Sequence, residues 1–477
     1  MSFQLSPNVD KSKIFLVSLN ALEGRLDPFC YIPELVQLDK KVKSKTKYRL
    51  RDFSTSHSSG ATPSKSDNSY YSDAENGVPF VRVQNLSVTG ELNQNDLVYI
   101  SKDIHEGLLK RSQVKEHDLL VKITGVGRMA IASVAPNGFE GNINQHIVVI
   151  RTASKETSEN LAAFLNLDSI ERLASKRATG GTRPALDYRA LFSIPIINER
   201  KIHEKIKEAV EIKNQKEEET QRLLDSIDDY LLSELGINLP EPEENTIQNR
   251  VFYRNLSEVT GQRFDSYYYK NVFEHAKKSV LDSKYPVNRL QDLSSNIQNG
   301  LEIRIYSDSG FRYLRVTDLG KYDINNKSPR YVDVAEIPSR IILNKKCLLV
   351  SRSGSLGLIS KVEPEIEDAI LSSHIFKVEL DINIIIPEYA EAFLRSRVGQ
   401  LEIFRENNGG VIPEINQAAL KKILIPIPPL EKQIEIVDRI TTTRTQAKQL
   451  RQAAAAELEQ AKQEVEAMIL GERGNKA

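Results

Sequence analysis

The stretch FVRVQNL at residues 80–86 returns as YLRVTDL at residues 313–319. In both copies apolar residues alternate with polar ones around a single arginine, as expected for a half-buried β-strand. Because the pattern recurs with its register intact, it predicts a duplicated fold.

Matches on either side of this stretch keep the same order in both halves, which makes chance a poor explanation. They include an Arg-x-Asp motif, two glycine turns, and a Gly-Gly loop followed by an Ile-x-Ile pair. In chain order the matched segments are 25–28 with 263–266, 50–53 with 290–293, 118–121 with 347–350, 125–127 with 354–357, 146–147 with 374–375, 180–184 with 409–413, and 194–196 with 423–425.

Composition sets broad limits on the function. The 477 residues are 40% hydrophobic and 27% charged, enough for two or three folded domains. The net charge of +0 argues against a protein that coats nucleic acid nonspecifically, but it is compatible with a local basic face. The two cysteines supply neither a disulfide framework nor a four-cysteine metal site. No stretch approaches the roughly 20 apolar residues of a membrane span. These features predict a soluble protein of a reducing cytoplasm.

Each half begins with strands and ends with helices. Short runs rich in Val and Ile, separated by Gly, Asn and Pro, predict strands at 78–83, 118–123, 129–134 and 146–151 in the first half. Apolar residues at helical spacing then predict one buried helix per half, at 158–173 and 387–403.

A long polar helix follows each half. The first runs from about Glu199 to Leu235 and the second from about Leu430 to Leu470, with apolar residues spaced as in a coiled coil. Each would be roughly 55 to 60 Å long, so each needs a partner, and an antiparallel pair is the simplest arrangement. Two domains arranged in this way predict a pseudo-symmetric ligand, and duplex DNA with two separated half-sites fits that description.

Several motifs within the duplicated layout carry a family resemblance. They are GATPS at 60–64 followed by two tyrosines, the Gly-Gly turn before Ile-x-Ile, and the helix start PPLEKQ at 428–433. With these motifs the chain resembles, over nearly its whole length, the specificity subunit of type I restriction-modification systems. The second half departs from the pattern, because GATPS has no counterpart near Gly300 and Ser373 stands where the first half has Gln145.

The resemblance implies an α+β fold with two pseudo-symmetric, mostly β target-recognition domains separated by an antiparallel pair of long coiled-coil helices. It implies a non-catalytic, sequence-specific DNA-binding subunit that reads a bipartite target, with one domain per half-site and the helices as a ruler. The implied partners are double-stranded DNA, two methyltransferase subunits and restriction/translocase subunits, in a bacterial or archaeal cytoplasm and without a membrane. S-adenosylmethionine, ATP and Mg²⁺ would belong to those partners, with no cofactor or metal in this chain.

The expected domain boundaries follow the repeat. They are 1–198 for the first target-recognition domain, 199–237 for the first long helix, 238–262 for a linker and entry to the second repeat, 263–428 for the second target-recognition domain, 429–471 for the second long helix, and 472–477 for a flexible tail.

Polar and basic side chains at the matched turns and strands are the candidate DNA contacts, because Arg binds guanine or phosphate and Asn and Gln pair with adenine. Each has a structural alternative. Arg82 and Arg315 are also explained as strand arginines paired to carboxylates, His146 and His374 as packed or capping residues, and the glycine turns as hairpins. The candidates are Thr62, Ser64, Arg82, Asn85, Lys122, Arg128, Asn144, Gln145, Arg304, Arg315, Arg352, Ser353 and His374.

The apolar stripes of the long helices supply the candidate subunit-docking residues, while the charged positions of these helices are also explained as solvated surface. The docking candidates are Ile202, Ile206, Leu224, Ile227, Leu231, Ile434, Val437, Leu450, Leu458 and Val465.

Two other functions stay open from the sequence. One is a scaffold or anti-restriction relative of the same fold that binds subunits without reading DNA. The other is a divergent nuclease that would use Glu363 or Glu365 beside Lys361.

Overall fold

The computed structural model describes residues 5–471, apart from 7, 11, 12, 23, 24, 65, 242, 245, 261, 262, 321–323 and 325–327. The predicted tail, residues 472–477, lies outside the described residues. The chain divides into two compact units. Unit 1 comprises residues 1–217 and 451–477, and unit 2 comprises residues 218–450.

Unit 1 contains nine strands and five short helices among its described residues, and a long helix begins in it. The strands are β1 Ser56–Ser59, β2 Tyr71–Ser72, β3 Val78–Val81, β4 Val98–Ile100, β5 Gln113–Val114, β6 Leu119–Lys122, β7 Ala132–Val134, β8 Gly141–Ile143 and β9 Ile147–Arg151. The helices are α1 Pro33–Lys45, α2 Lys102–Glu106, α3 Lys155–Leu165, α4 Asp168–Arg177, α5 Tyr188–Phe192 and the long helix α6 Arg200–Leu235.

Unit 2 has a matching inventory over the residues that the structure describes. Its strands are β10 Val287–Arg289, β11 Ser294–Asn299, β12 Phe311–Leu314, β13 Arg330–Val332, β14 Cys347–Ser351, β15 Ile359–Lys361, β16 Ile370–Leu371, β17 Ile375–Leu380 and β18 Leu424–Pro426. Its helices are α7 Leu256–Val259, α8 Asn271–Leu281, α9 Pro387–Arg395, α10 Arg397–Arg405 and α11 Gln417–Leu420, and the long helix α12 Leu430–Leu470 begins in it.

The two halves that repeat in sequence also share the same sheet topology. Unit 1 has a four-stranded antiparallel sheet in the order β1-β9-β6-β7, and unit 2 has the equivalent sheet β11-β17-β14-β15. Each unit also pairs two strands in parallel, β3 with β8 and β12 with β16. The predicted α+β fold with two similar, strand-rich units is therefore confirmed.

The predicted antiparallel pairing of the long helices is visible in unit 1, and the two helices also contact each other in unit 2. In unit 1, Lys205 and Lys216 of α6 pair with Glu464 and Glu457 of α12, so residue numbers rise along one helix as they fall along the other. In unit 2, Lys432 of α12 lies 2.7 Å from a carboxylate oxygen of α6. The apolar faces of both helices are buried in the two cores, which supplies most of the stability of such helices.

Each predicted buried helix is in fact two helices, α3 with α4 and α9 with α10. At the first break, the Asn166 side chain accepts a hydrogen bond from the Ala132 backbone N–H at 3.0 Å and donates to the Ala132 carbonyl at 2.7 Å. At the second break, the Ser396 hydroxyl accepts from the Gly399 N–H at 3.2 Å. Polar side chains bonded to the backbone compete with helix continuation, and apolar periodicity does not report this competition.

Candidate nucleic-acid interface

Four loops of unit 1 are joined by backbone hydrogen bonds. Gly60 donates to the carbonyl of Ile147 at 3.4 Å, Ile123 donates to that of His146 at 2.9 Å, and Gly125 donates to that of Pro184 at 3.1 Å. These bonds connect loops 60–64, 125–127, 144–146 and 180–184, which we call the loop edge of unit 1.

Unit 2 repeats the same frame. Gly300 donates to the carbonyl of Ile375 at 3.1 Å, Arg352 donates to that of His374 at 2.7 Å, and Gly354 donates to that of Pro413 at 3.1 Å. The loop edge of unit 2 consists of loops 300–304, 354–357, 372–374 and 409–413. GATPS therefore has a positional counterpart in 300–304, although the residue types differ.

The matched glycines at the start of these loops allow a close backbone approach. A Cβ atom on Gly60 would lie 1.9 Å from the carbonyl oxygen of Ile143, and one on Gly300 would lie 2.2 Å from that of Leu371. Only glycine fits both places, because the neighbouring atoms belong to the backbone rather than to flexible side chains. This approach brings loops 60–64 and 300–304 beside the ends of the parallel strand pairs.

In unit 1, two of the predicted contacts meet on the surface. The Thr62 hydroxyl donates to Oε1 of Gln145, and both residues are exposed. Asn144 is instead buried, and its Oδ1 accepts from the His146 backbone N–H at 3.1 Å. Ser64 is exposed and bonds with Ser66 at 2.7 Å. Thr62 and Gln145 thus present an amide and a hydroxyl to solvent, whereas Asn144 supports the turn.

Two of the three predicted cations of unit 1, Lys122 and Arg128, brace the β6–β7 hairpin. Lys122 donates from Nζ to the carbonyls of Val126 and Arg128, each at 2.9 Å. Burial lowers the pKa of Lys122. The Arg128 guanidinium bonds to Asp168 and to the Asn166 carbonyl. The glycine turn between β6 and β7 is a hairpin, as one sequence interpretation proposed, and these side chains hold its shape.

In unit 2, the predicted polar residues form short-range pairs at the surface. Arg352 donates to Oε1 of Glu414 at 2.7 Å, and the Ser353 hydroxyl lies 2.6 Å from Nδ1 of His374. Arg304 donates to Glu302 at 2.5 and 2.9 Å, which lowers the pKa of that carboxyl. The loop edge of unit 2 therefore combines arginine–glutamate ion pairs with a neutral hydrogen-bonded pair.

The sequence predicted that Arg82 and Arg315 lie in strands, and this prediction is wrong. Both residues lie immediately after a strand, Arg82 after β3 and Arg315 after β12. Each begins a 3-10 turn in which its backbone N–H is held by the side chain three residues later, Asn85 or Asp318. The alternation of apolar and polar residues continues past the strand end because apolar residues of the turn are also buried or partly buried.

The side chains of these candidates have partners within the protein. Arg315 forms an ion pair with Asp318 at 2.8 Å. Arg82 donates to the Asp96 carbonyl at 3.1 Å. Asn85 is buried and donates to two carbonyls, so DNA contacts by these three candidates stay predictions.

Half of the predicted docking residues are buried in the cores of their own units, and most of the others are partly buried. Ile202, Ile206, Leu231, Leu458 and Val465 are buried, and Leu224, Ile227, Val437 and Leu450 are partly buried. Ile434 is 49% exposed. A side chain buried in its own core presents little surface to another subunit, so a docking role for these residues stays a prediction.

The Gly-Gly loops were missed as sites because their similarity in the two halves suggested a common scaffold. Their tips differ: Thr182 and Arg183 are exposed in unit 1, and Val411 and Ile412 are exposed in unit 2. The sequence did contain a signal for these sites. Both halves have Gly-Gly and Pro at matching positions, but the two residues between them differ.

Three further features concern metal binding, membrane crossing and nuclease chemistry among the residues that the structure describes. There, no group of three or more His, Cys, Asp or Glu side chains is placed to hold a metal ion. None of the described helices has the length and apolar character needed to cross a membrane. Lys361 lies 3.2 Å from Glu363 and 3.4 Å from Glu388, so the acidic cluster suggested for a nuclease includes an ion pair.

Comparison with known proteins identifies the second part of the chain. Residues 310–460 match the family model of the Type I restriction modification DNA specificity domain. The match covers about a third of the chain. The resemblance noted in the sequence is thus confirmed.

The chain also has individual relatives. The chain is 27% identical over 148 residues to the Type I restriction enzyme EcoBI specificity subunit of Escherichia coli, an alignment that spans 30% of each protein. One similar solved chain comes from work on complex assembly and conformational transition of the type I R-M system, with 15% identity, a TM-score of 0.47, and coverage of 90% of this chain and 97% of that one. Another is the Type I restriction-modification system S subunit from M. genitalium, with 13% identity, a TM-score of 0.38, and coverage of 89% and 94%.

Proposed function

We propose that this chain is the DNA-reading specificity subunit of a type I restriction-modification complex, with each unit reading one half of a bipartite target. The observation that carries the proposal is that the same hydrogen-bonded loop edge is built twice, with different exposed side chains on it. A shared frame with different contact groups is what recognition of two different half-sites requires, because base edges are distinguished by their donors, acceptors and methyl groups.

The chemistry of each loop edge supports DNA as the ligand. Unit 1 exposes Gln145 with Thr62, groups that hydrogen bond to base edges, and unit 2 exposes Arg304 and the hydrogen-bonded pair of Ser353 and His374 on its loop edge. Cationic and amide groups on loops are the usual contacts to phosphates and bases. The net charge of +0 makes the affinity depend on these local groups rather than on a general electrostatic attraction.

The proposal includes the assembly in which such a subunit works. Two methyltransferase subunits and restriction/translocase subunits would bind this chain in a bacterial or archaeal cytoplasm, with part of the helix surface as their docking site. S-adenosylmethionine, ATP and Mg²⁺ would be bound by those subunits, and this chain would direct their reaction to a site without taking part in the chemistry.

The proposed ruler role of α6 and α12 makes a quantitative prediction. Deleting residues 216–219 and 449–452 together shortens each helix by about one turn, or 6 Å. With base pairs about 3.4 Å apart, we expect the spacer between the half-sites to shrink by about two base pairs, while both half-sites stay the same. The measurement is the methylated motif of the complex that contains the shortened chain.

A length-matched control separates helix length from helix surface. Replacing the same eight residues with alanine keeps both helices at full length, and this variant should keep the original spacer. The ruler role is wrong if the shortened chain gives altered half-sites with the original spacing.

A further inference from the structure

The two Gly-Gly loops occupy the same place in their units. Backbone N–H groups of Gly125 and Gly354 hold them through the carbonyls of Pro184 and Pro413, each at 3.1 Å. Each loop is also bridged to the end of the hairpin, through Ala185 in unit 1 and Glu414 in unit 2. The anchors are equivalent, so the residues at the two tips are presented from equivalent positions on the two loop edges.

The chemistry at the two tips is opposite. The unit 1 tip carries Thr182 and Arg183, both exposed polar residues. The unit 2 tip carries Val411 and Ile412, which are 101% and 65% exposed. Burying a Val or Ile side chain is favourable, so two adjacent exposed ones on a polar edge indicate a surface that becomes covered when the ligand binds.

The backbone of the tips suits entry into a narrow space. A Cβ atom on Gly181 or Gly410 would meet nothing within 4 Å, so the glycine before each tip faces open solvent and adds no bulk. In the major groove, arginine pairs with O6 and N7 of guanine, whereas apolar side chains contact the methyl group of thymine. The polar tip and the apolar tip therefore match two different features of the same groove.

We infer that the two Gly-Gly loops are equivalent base-reading tips, with Arg183 reading a guanine in one half-site and Val411 with Ile412 reading a thymine methyl group in the other. This inference rests on the proposed function, and it gives a recognition role to segments whose sequence similarity suggested scaffold. Arg183 hydrogen bonds to the base edge, and the Val411–Ile412 pair makes apolar contact and excludes water from it.

The test uses the assembled complex and reads its methylated motif. We expect Arg183→Met to relax one base pair of one half-site, and V411S/I412S to relax one base pair of the other half-site. Each should lower discrimination at that position by about 10-fold to 100-fold, with the spacer and every other position unchanged. Replacing a T·A pair at the affected position with a pair that lacks the thymine methyl group should no longer weaken methylation by V411S/I412S.

Controls of the same chemistry lie away from the loop edges. Arg172→Met removes an exposed arginine on α4, and Ile382→Ser removes a partly exposed isoleucine beyond the far end of β17. Both should leave the motif unchanged. If the tip variants keep the full wild-type motif, or weaken all sequences equally, the tips do not read bases. If the wild-type complex methylates no bipartite motif, the proposed function itself fails, which is a different result.

Discussion

Gly60→Ala and Gly300→Ala are expected to destabilise their units by about 3 kcal/mol or more, at the upper end of what overpacking costs. The added methyl group would lie 1.9 Å from the Ile143 carbonyl oxygen in unit 1 and 2.2 Å from the Leu371 carbonyl oxygen in unit 2. Both neighbours are backbone atoms next to parallel strand pairs, so relief requires movement of the strands. Urea unfolding followed by circular dichroism measures the effect, since the chain has no tryptophan.

Two other glycines on the same loop edges serve as matched controls. Cβ atoms on Gly181 and Gly410 would meet nothing within 4 Å, and Gly181→Ala and Gly410→Ala should change the free energy of unfolding by no more than about 0.5 kcal/mol. Equal effects at all four positions would contradict the close backbone approach that places loops 60–64 and 300–304.

Arg405→Met is expected to destabilise unit 2 by about 3 to 5 kcal/mol at pH 8, because it leaves buried carboxylates without their cation. Arg405 is buried, lies 3.5 Å from Glu402 and 3.9 Å from Glu406, and donates to the Tyr268 hydroxyl at 2.6 Å. The loss should be smaller at pH 5, where the carboxyl groups take up protons. Arg397→Met on the same helix removes an exposed ion pair and should cost less than about 1 kcal/mol.

The stability of unit 2 should depend on pH because Glu402 ionises. Burial raises the pKa of Glu402 from 4.5 to about 6, so the folded chain binds this proton more tightly than the unfolded chain. This tighter proton binding raises the free energy of unfolding by about 2 kcal/mol below pH 4.5, and the increase is lost as the pH rises through about 6. Glu402→Gln cannot ionise, so its stability relative to wild type should rise over this interval. A stability difference that does not vary between pH 4.5 and pH 8 would contradict a buried ionising Glu402.

The sequence predicted the features that depend on repetition and periodicity. Matched apolar stretches located β6, β9, β14 and β17, and long uninterrupted stripes located α6 and α12. These predictions succeed because the burial of apolar residues determines both the sequence pattern and the secondary structure. The order of strands in the sheets was not predictable, since it depends on contacts between segments far apart in the chain.

The candidate site was predicted less completely, for reasons visible in single residues. Lys122 and Asn144 have the chemistry of DNA contacts, but their partners are carbonyls and N–H groups of neighbouring turns. Such partners are identified only by the fold. Val411 and Ile412 were overlooked because the similarity of the two Gly-Gly loops suggested a common scaffold, and only the structure places these two residues at an exposed tip.

The central claim is that this chain reads a two-part DNA target. The most direct measurement compares the methylated motifs of the source genome with and without an intact copy of this gene. We predict the loss of one bipartite motif, with two short specific sequences separated by a fixed nonspecific spacer. Retention of every methylated motif, or loss of a motif without a spacer, would contradict the account.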